Sequence, residues 1–490
     1  MILAIDQGTT STRAWILDEE ARVIGQAQKE LTQHYPKPGW VEHDPNEIWE
    51  SCLQVCHQAL AQAKITGQEL VGLGLANQRE TALVWDRKTG QPVGPAIVWQ
   101  DRRCSELLKQ LHQEGHEPEA QKRSGLLFDA YFSAGKWSWF IQQHPDLVRG
   151  LTQGGLCLGT VDSWLAYCLT GSHITDVTNA SRTLLMNLES EQWDTWLLDL
   201  FGIPEESMPK IVPTSGELGL VQEIHFGKEI PLYAMVGDQQ AALYGQGAHR
   251  SGMAKCTYGT GCFLLMNTGA VKSASQTRLL TTVAWKKSGQ DTQFALEGSV
   301  FEGGSVVRWL RDGLGLIQNS AEVNDLAKTE ADSGGLVLVP AFSGLGAPYW
   351  DGDARGVLCG LTAGSRAGHL AWAVLESIAH QVVDLVECMQ KDSNTPMQEL
   401  RVDGGAARSD ILLQTQANLL GVPVTRGPTL ESTVWGAARM IAEQVGWWSD
   451  DVQPTPAEPV RTFEPQLSRE RREENRAQWR LSVERARLRA

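Results

Sequence analysis

Nowhere in its 490 residues does the chain carry an apolar run approaching the length of a membrane span, so a helix through a bilayer is not expected. The first acidic residue arrives at Asp6, which leaves no room for the apolar core of a secretory leader, and a soluble cytoplasmic protein is the expectation. Positive charge is also short: 43 Lys and Arg against 58 Asp and Glu give a formal net charge of -15. A large nucleic-acid footprint requires a basic face and is therefore not expected. The nine cysteines include no paired metal-type spacing, so reduced thiols are expected rather than a zinc site or a disulfide framework. Cys52 and Cys56 share a helix face, but two sulfurs without a nearby His or further Cys pack more often than they bind metal.

What the chain does have begins at residue 1. The apolar run Met1-Ile2-Leu3-Ala4-Ile5 stops at Asp6, and Gln7, Gly8, Thr9, Thr10, Ser11, Thr12 and Arg13 follow. Without a Cβ at Gly8 the turn can present backbone N–H groups to an anion, the hydroxyls add donors, and Asp6 offers a hard oxygen for Mg²⁺. Alone, that segment could equally be a hairpin with an idle polar turn, since Ala14-Trp15-Ile16-Leu17 resumes a strand.

At this length the chain divides into two domains, and the alternation of apolar runs with helical periods predicts mixed α/β layers. Asp44 caps a helix with Pro45 at its first position. The strand predicted at 70–75 leads into Asn77, Gln78, Arg79, Glu80 and Thr81, polar groups beyond a strand's carboxyl end, where open α/β sheets bind ligands. A strand through Val236 leads to Gly237-Asp238-Gln239-Gln240. The second half repeats the opening pattern at Tyr258-Gly259-Thr260-Gly261-Cys262, with Phe263 beginning the next strand, and Gly404-Gly405 opens a further helix. The Arg- and Glu-rich segment from Ser468 reads as a solvated amphipathic helix carrying Trp479 and Val483 at helical spacing.

Each candidate has a plainer reading. Asp238 could be a helix cap, and Arg79 and Glu80 a surface ion pair worth about 0–1 kcal/mol. Trp99 is one of eighteen tryptophans and could be ordinary core, as could Phe263 in its strand, while Tyr131 could be a packed phenol with a wet tip.

Asp6 to Arg13, residues 237–240 and Asp403-Gly404-Gly405 occur in the order of the phosphate and adenosine motifs of the actin-like (ribonuclease H-like) ATPases. Within that superfamily the chain resembles the FGGY carbohydrate kinases, through Tyr131 to Phe140, Gly356 to Leu361 and His369 to Glu376 as well. Asn77-Gln78-Arg79-Glu80-Thr81 and Trp99-Gln100-Asp101-Arg102 are similar to the branch that acts on glycerol, where pentulose kinases carry Gln-Met-His-Gly in place of the Arg-Glu pair. The resemblance implies two duplicated actin-like domains, 1–245 and 246–490, around a nucleotide cleft, and ATP-dependent phosphorylation of glycerol with Mg²⁺. It assigns Asp238 as catalytic base and, with Asp6, to the metal. Arg79, Glu80, Trp99, Tyr131, Asp238, Gln239 and Phe263 would face the polyol. Thr9, Thr10, Ser11, Arg13, Thr260, Gly304, Arg308, Gly405 and Ser409 would face the nucleotide, although Arg308 and Ser409 stand where Gln and Asn are common in the family. A homo-oligomer is expected. A screen of polyols and pentuloses separates the related kinases, and a non-catalytic nucleotide-binding protein would need no polyol pocket. The glycine-rich loop that binds fructose 1,6-bisphosphate in some members is missing between Ser215 and Pro231. His225 there resembles a site phosphorylated by a sugar-transport phosphocarrier, but an exposed loop histidine without a role is the more economical reading.

Overall fold

The computed structural model describes residues 1–449, 452–455 and 459–488. Strands and helices alternate into two large mixed sheets with helices packed against them. The first sheet runs Ser215–Val221, Ile230–Gly237, Gly72–Asn77, Ile2–Gln7, Ser11–Leu17 and Val23–Glu30. Its N-terminal hairpin pairs Gln7 with Thr12, and the strand Ile2–Gln7 lies parallel to Gly72–Asn77 with Gln7 opposite Asn77. The strand Ile230–Gly237 is parallel on the other side of Gly72–Asn77, with Gly237 opposite Asn77. Three strands therefore end level with one another, and whatever follows each of them emerges at one edge.

The second sheet reuses this plan. The hairpin Met253–Tyr258 and Cys262–Gly269 lies beside the parallel strand Glu399–Asp403, in the order Leu280–Trp285, Gln293–Val300, Cys262–Gly269, Met253–Tyr258, Glu399–Asp403, Val424–Arg426, Arg461–Phe463. Thr257 stands opposite Asp403, which brings the turn at 259–261 next to Gly404 and Gly405.

The apolar run at the N-terminus is explained by burial on both of its faces. Leu3 and Ile5 join Ile48, Cys52 and Val55 from the helix Pro45–Ala63, while Ile2 and Ala4 join Tyr244, Trp435 and Ile441 on the other side. Asp44 caps the first of these helices, its carboxylate accepting the Asn46 N–H at 2.8 Å. The helices against the second face, Asp238–Gly245 and Ser432–Gln444, come from opposite halves of the chain and cross at glycine. A Cβ on Gly436 would lie 1.9 Å from the Ala241 carbonyl oxygen, and one on Gly245 would lie 2.3 Å from that of Ser432.

All nine cysteines are free, Cys52 and Cys56 among the buried ones, and among the described residues no helix is long and apolar enough to cross a membrane. Two local expectations change. The C-terminal helix, Arg469–Arg487, is not simply solvated: Trp479 and Val483 are buried, Trp479 stacks on His380 at 5.0 Å between ring centroids, and its Nε1 donates to Asp384 at 2.8 Å. His225 is not in an open loop but in the short helix Glu223–Phe226, half-buried, with Nε2 3.0 Å from the Cys168 carbonyl oxygen and its ring edge-on to Trp49.

Candidate active site

The aligned ends of the three parallel strands gather Asp6, the segment 77–81 and Asp238, which are far apart in sequence. The first turn is tight, with the Gly8 N–H donating to the Ser11 carbonyl at 2.9 Å. Thr10 is exposed, Ser11 Oγ accepts from Gln28 Nε2 at 3.0 Å, and Thr9 Oγ1 accepts from Trp99 Nε1 at 2.9 Å. A hydroxyl of the phosphate-type turn is thus tied directly to an aromatic of the neighbouring polyol-type cluster. Arg13 forms an ion pair with Glu431 and donates to Gln28 at 3.1 Å. Glu431 comes from the second half and carries no sequence signal of that contact.

Trp99, Tyr131 and Phe263 form one aromatic wall. Trp99 is edge-on to Tyr131 at 5.5 Å and to Phe263 at 6.3 Å between centroids, and Phe263 is contributed by the second sheet. The surface ion-pair reading of Arg79 and Glu80 fails, because they are 2% and 1% exposed and their closest charged atoms are 3.7 Å apart. Their stronger partners lie elsewhere: Glu297 accepts from Arg79 at 2.7 and 2.9 Å, and Arg182 Nε donates to Glu80 at 2.7 Å. Burial raises the Glu80 pKa against the pull of Arg79 and Arg182, whereas Glu297, despite its burial, is held down to about 2 by the two guanidiniums. Glu80 also sits in the left-handed region at φ 60, so the backbone turns sharply to point this side chain inward.

Asp238 begins the helix Asp238–Gly245, but Gly237 holds the cap position and the Gly237 N–H is fixed by Thr178 Oγ1 at 2.9 Å. The Asp238 side chain is 27% exposed, with Arg79 Nε at 3.3 Å from Oδ1. Burial raises its pKa, opposed by Arg79 and by Lys255. Lys255, fully buried on the second sheet, donates to Thr257 Oγ1 at 2.9 Å and to Gln239 Oε1. Asp6 is pushed up to about 7, mainly by burial and further by Asp238, with Arg13 opposing. Two carboxylates that raise the cost of charge at one place suit a divalent cation. Among the described residues no group of three or more His, Cys, Asp or Glu could hold one, so such an ion would need oxygens from substrate phosphate and water, as Mg²⁺ commonly takes.

In the second half of the chain a cavity of about 940 Å³ is lined by Tyr258, Thr260, Gly304, Arg308, Gly405 and Ser409, among others. The Gly303 and Ser305 N–H groups donate to the Thr260 carbonyl at 2.9 and 3.1 Å, and that of Gly304 to Gly259 at 2.8 Å, so the turn is pinned to the start of the helix Gly304–Arg308. A Cβ on Gly304 would come within 2.8 Å of the Gly259 carbonyl oxygen, whereas one on Gly405 would meet nothing within 4 Å and would only fill space. Arg308 reaches Thr260 Oγ1 at 3.4 Å. Ser409 caps the helix Asp410–Leu420 through the Leu412 N–H at 3.1 Å and donates to Asn324, another wall residue. Both departures from the family pattern therefore line the cavity.

Two sheets of the same plan, each with a phosphate-type turn closing a hairpin beside a parallel strand, and a polar and aromatic cluster drawn from both, define a two-domain sugar-kinase fold of the actin-like kind. The N-terminal domain of the FGGY family of carbohydrate kinases matches residues 1–245 and the C-terminal domain residues 254–443; the chain belongs to this family. It is 50% identical over 490 residues to the glycerol kinase of Janthinobacterium sp. (strain Marseille), covering 99% of this chain and 98% of that one. It is 51% identical over 487 residues to the glycerol kinase of Alkalilimnicola ehrlichii, at 99% and 98% coverage. Among solved structures, Plasmodium falciparum glycerol kinase with ADP superposes with a TM-score of 0.95 at 35% identity, covering 100% of this chain and 98% of that one.

Proposed function

We propose that the chain transfers the γ-phosphoryl group of ATP to a terminal hydroxyl of glycerol, giving ADP and sn-glycerol 3-phosphate. The observation that carries this reading is the convergence on one buried guanidinium, Arg79, of the Asp238 carboxylate and of the Tyr131 hydroxyl, whose ring forms an aromatic wall with Trp99 and Phe263. Full-length similarity to glycerol kinases supports the same substrate. We place the division between the two domains near residue 245, a reading supported by the N-terminal family match, which ends there.

Phosphoryl transfer asks a protein for alignment, charge neutralisation and acceptance of one proton. Arg79 and Glu80 offer a donor and an acceptor to the polyol hydroxyls, and the aromatic wall covers the carbon side. The carboxylate of Asp238 takes the hydroxyl proton as the new P–O bond forms and the bond from the γ-phosphorus to the bridging oxygen breaks, leaving its electron pair on ADP. Asp6, with Asp238, would hold Mg²⁺, which when bound neutralises charge on the phosphate oxygens. The turn at 8–11 and the turn carrying Thr260 present N–H and hydroxyl donors to the phosphates from opposite sides. Ser409 and Gly405 shape the space for the nucleoside.

A coupled assay of ADP release with glycerol, erythritol, xylulose and ribulose tests this directly. We expect kcat/KM for glycerol to exceed that for each of the others by at least tenfold. A preference for a pentulose, or ADP release that does not respond to any polyol, overturns the assignment.

A further inference from the structure

Behind Arg79 and Glu80 stands a second pair of opposite charges that no sequence motif announces. Glu297, on the strand Gln293–Val300, and Arg182, just after the helix Val177–Ala180, are both fully buried. Burial of a carboxylate or a guanidinium is costly unless it is paired and hydrogen-bonded. Here the pairing is crosswise: Glu297 holds Arg79, Arg182 Nε holds Glu80 at 2.7 Å, and Arg182 Nη2 closes the ring on Glu297 Oε1 at 3.1 Å.

The fork geometry of a guanidinium makes this arrangement directional. Arg79 docks end-on, Nη1 to Glu297 Oε2 at 2.7 Å and Nη2 to Oε1 at 2.9 Å. Its other contacts are longer: Nη1 to Gln240 at 3.2 Å, Nη2 to the Tyr131 hydroxyl at 3.1 Å and Nε to Asp238 at 3.3 Å. A hydroxyl ligand can compete for the edge facing Tyr131 and Asp238 while Glu297 keeps the opposite end fixed. Glu80 is treated likewise, because Arg182 takes Oε1 and leaves Oε2 buried with no partner among the described residues. A buried, immobilised and unsatisfied carboxylate oxygen discriminates strongly in favour of a ligand hydroxyl, since leaving it unpaired is expensive.

We propose that Glu297 and Arg182 are positioning residues for polyol selection, Glu297 fixing which edge of Arg79 faces the substrate and Arg182 fixing which oxygen of Glu80 does. A strand of the second sheet then takes part in choosing the molecule held at the edge of the first. This rests on the reading of Arg79 and Glu80 as polyol ligands. A wild type that does not phosphorylate glycerol removes that reading and this role with it, whereas an active wild type leaves the variants to decide.

The test is steady-state kinetics of Glu297→Gln, Glu297→Asp and the double variant Arg182→Met/Glu297→Gln, with folding checked by thermal melting. The double variant removes one charge of each sign, so it carries the measurement if the loss of a single buried charge unfolds the chain. Glu297→Asp keeps the charge and shortens the reach. In each folded variant the KM for glycerol should rise at least tenfold, least in Glu297→Asp, with the KM for ATP within twofold of wild type. The ratio of kcat/KM for erythritol to that for glycerol should increase as the frame loosens. An unchanged KM for glycerol in a folded variant overturns the proposal, and so does an equal rise for glycerol and ATP, which is what a general structural role produces.

Discussion

An aspartate that opens a helix ordinarily caps it, yet at Asp238 the cap position belongs to Gly237 and the carboxylate keeps one backbone partner, the Gln239 N–H at 2.7 Å. Burial raises its pKa, with Glu297 adding to the rise, while Arg79 at 3.3 Å and the more distant Lys255 oppose it. A carboxylate whose affinity for a proton is raised in this way is suited to accept one. Replacing it by the isosteric amide removes the proton acceptor and leaves the shape, so Asp238→Asn should lower kcat by about 10²–10⁴, the range for general-base catalysis. Single-turnover phosphorylation of glycerol measures this step, and near-normal turnover in the purified variant rules the base out.

At the scale of elements, the close crossing of Asp238–Gly245 with Ser432–Gln444 joins the residue that opens the first helix to a segment from the other end of the chain. The two backbones approach so closely at Gly436 that an added methyl would sit 1.9 Å from the Ala241 carbonyl oxygen. That atom is backbone and cannot swing aside, so the helices must separate or tilt. Gly436→Ala should destabilise the protein by about 1–3 kcal/mol, the usual penalty of overpacking, and should lower kcat because the displaced helix begins with Asp238. A melting temperature and kcat both equal to wild type would show that the crossing yields at no cost. Gly352→Ala is the control, since its Cβ would meet nothing within 4 Å and the residue lies outside the site.

For the whole molecule, two histidines, the buried His43 and the half-buried His173, set part of the acid response. His43 and His173 are both held down to about 4 from an ordinary value of 6.5, chiefly by burial. The geometry agrees for His43, whose Nδ1 faces the Gln78 side-chain amide nitrogen at 3.4 Å and so is placed to accept, which a protonated ring cannot do. Both remain neutral in the fold while the unfolded chain takes up protons below pH 6.5. Between about pH 6.5 and 4 the unfolded state binds more protons, so stability falls as the pH falls, by up to roughly 3 kcal/mol per histidine at the lower end. Thermal melting of wild type and a His43→Gln/His173→Gln variant at pH 7.5 and 5 checks this. The variant should lose distinctly less on acidification, and equal losses would remove the histidines from the account.

The residues of the opening turn, the 77–81 segment, Asp238 and the second turn are legible in the sequence because each is a local pattern: an apolar run that ends in glycine or in polar side chains. Their convergence follows from strand register, with Gln7, Asn77 and Gly237 level across the first sheet. The strand before Arg79 is Gly72–Asn77, two residues beyond the 70–75 that the sequence predicts, since an unbroken apolar run carries no internal mark of where pairing begins. The C-terminal helix reads as solvated in sequence because its charges dominate its composition, while the seat of Trp479 on His380 belongs to another helix. Glu297, Arg182, Lys255 and Glu431 gave no signal at all. Each is a charged residue in an ordinary strand or loop sequence, and its meaning comes from a partner of opposite sign or a hydrogen-bond acceptor supplied across the fold, as Glu297 is to Arg79 at a separation of 218 residues. The sequence by itself determined which chemistry stands at the strand ends, because that is written in neighbouring residues. Only the tertiary structure decided how buried charges are balanced, because electrostatic compensation depends on distance in space and dielectric surroundings rather than on order along the chain.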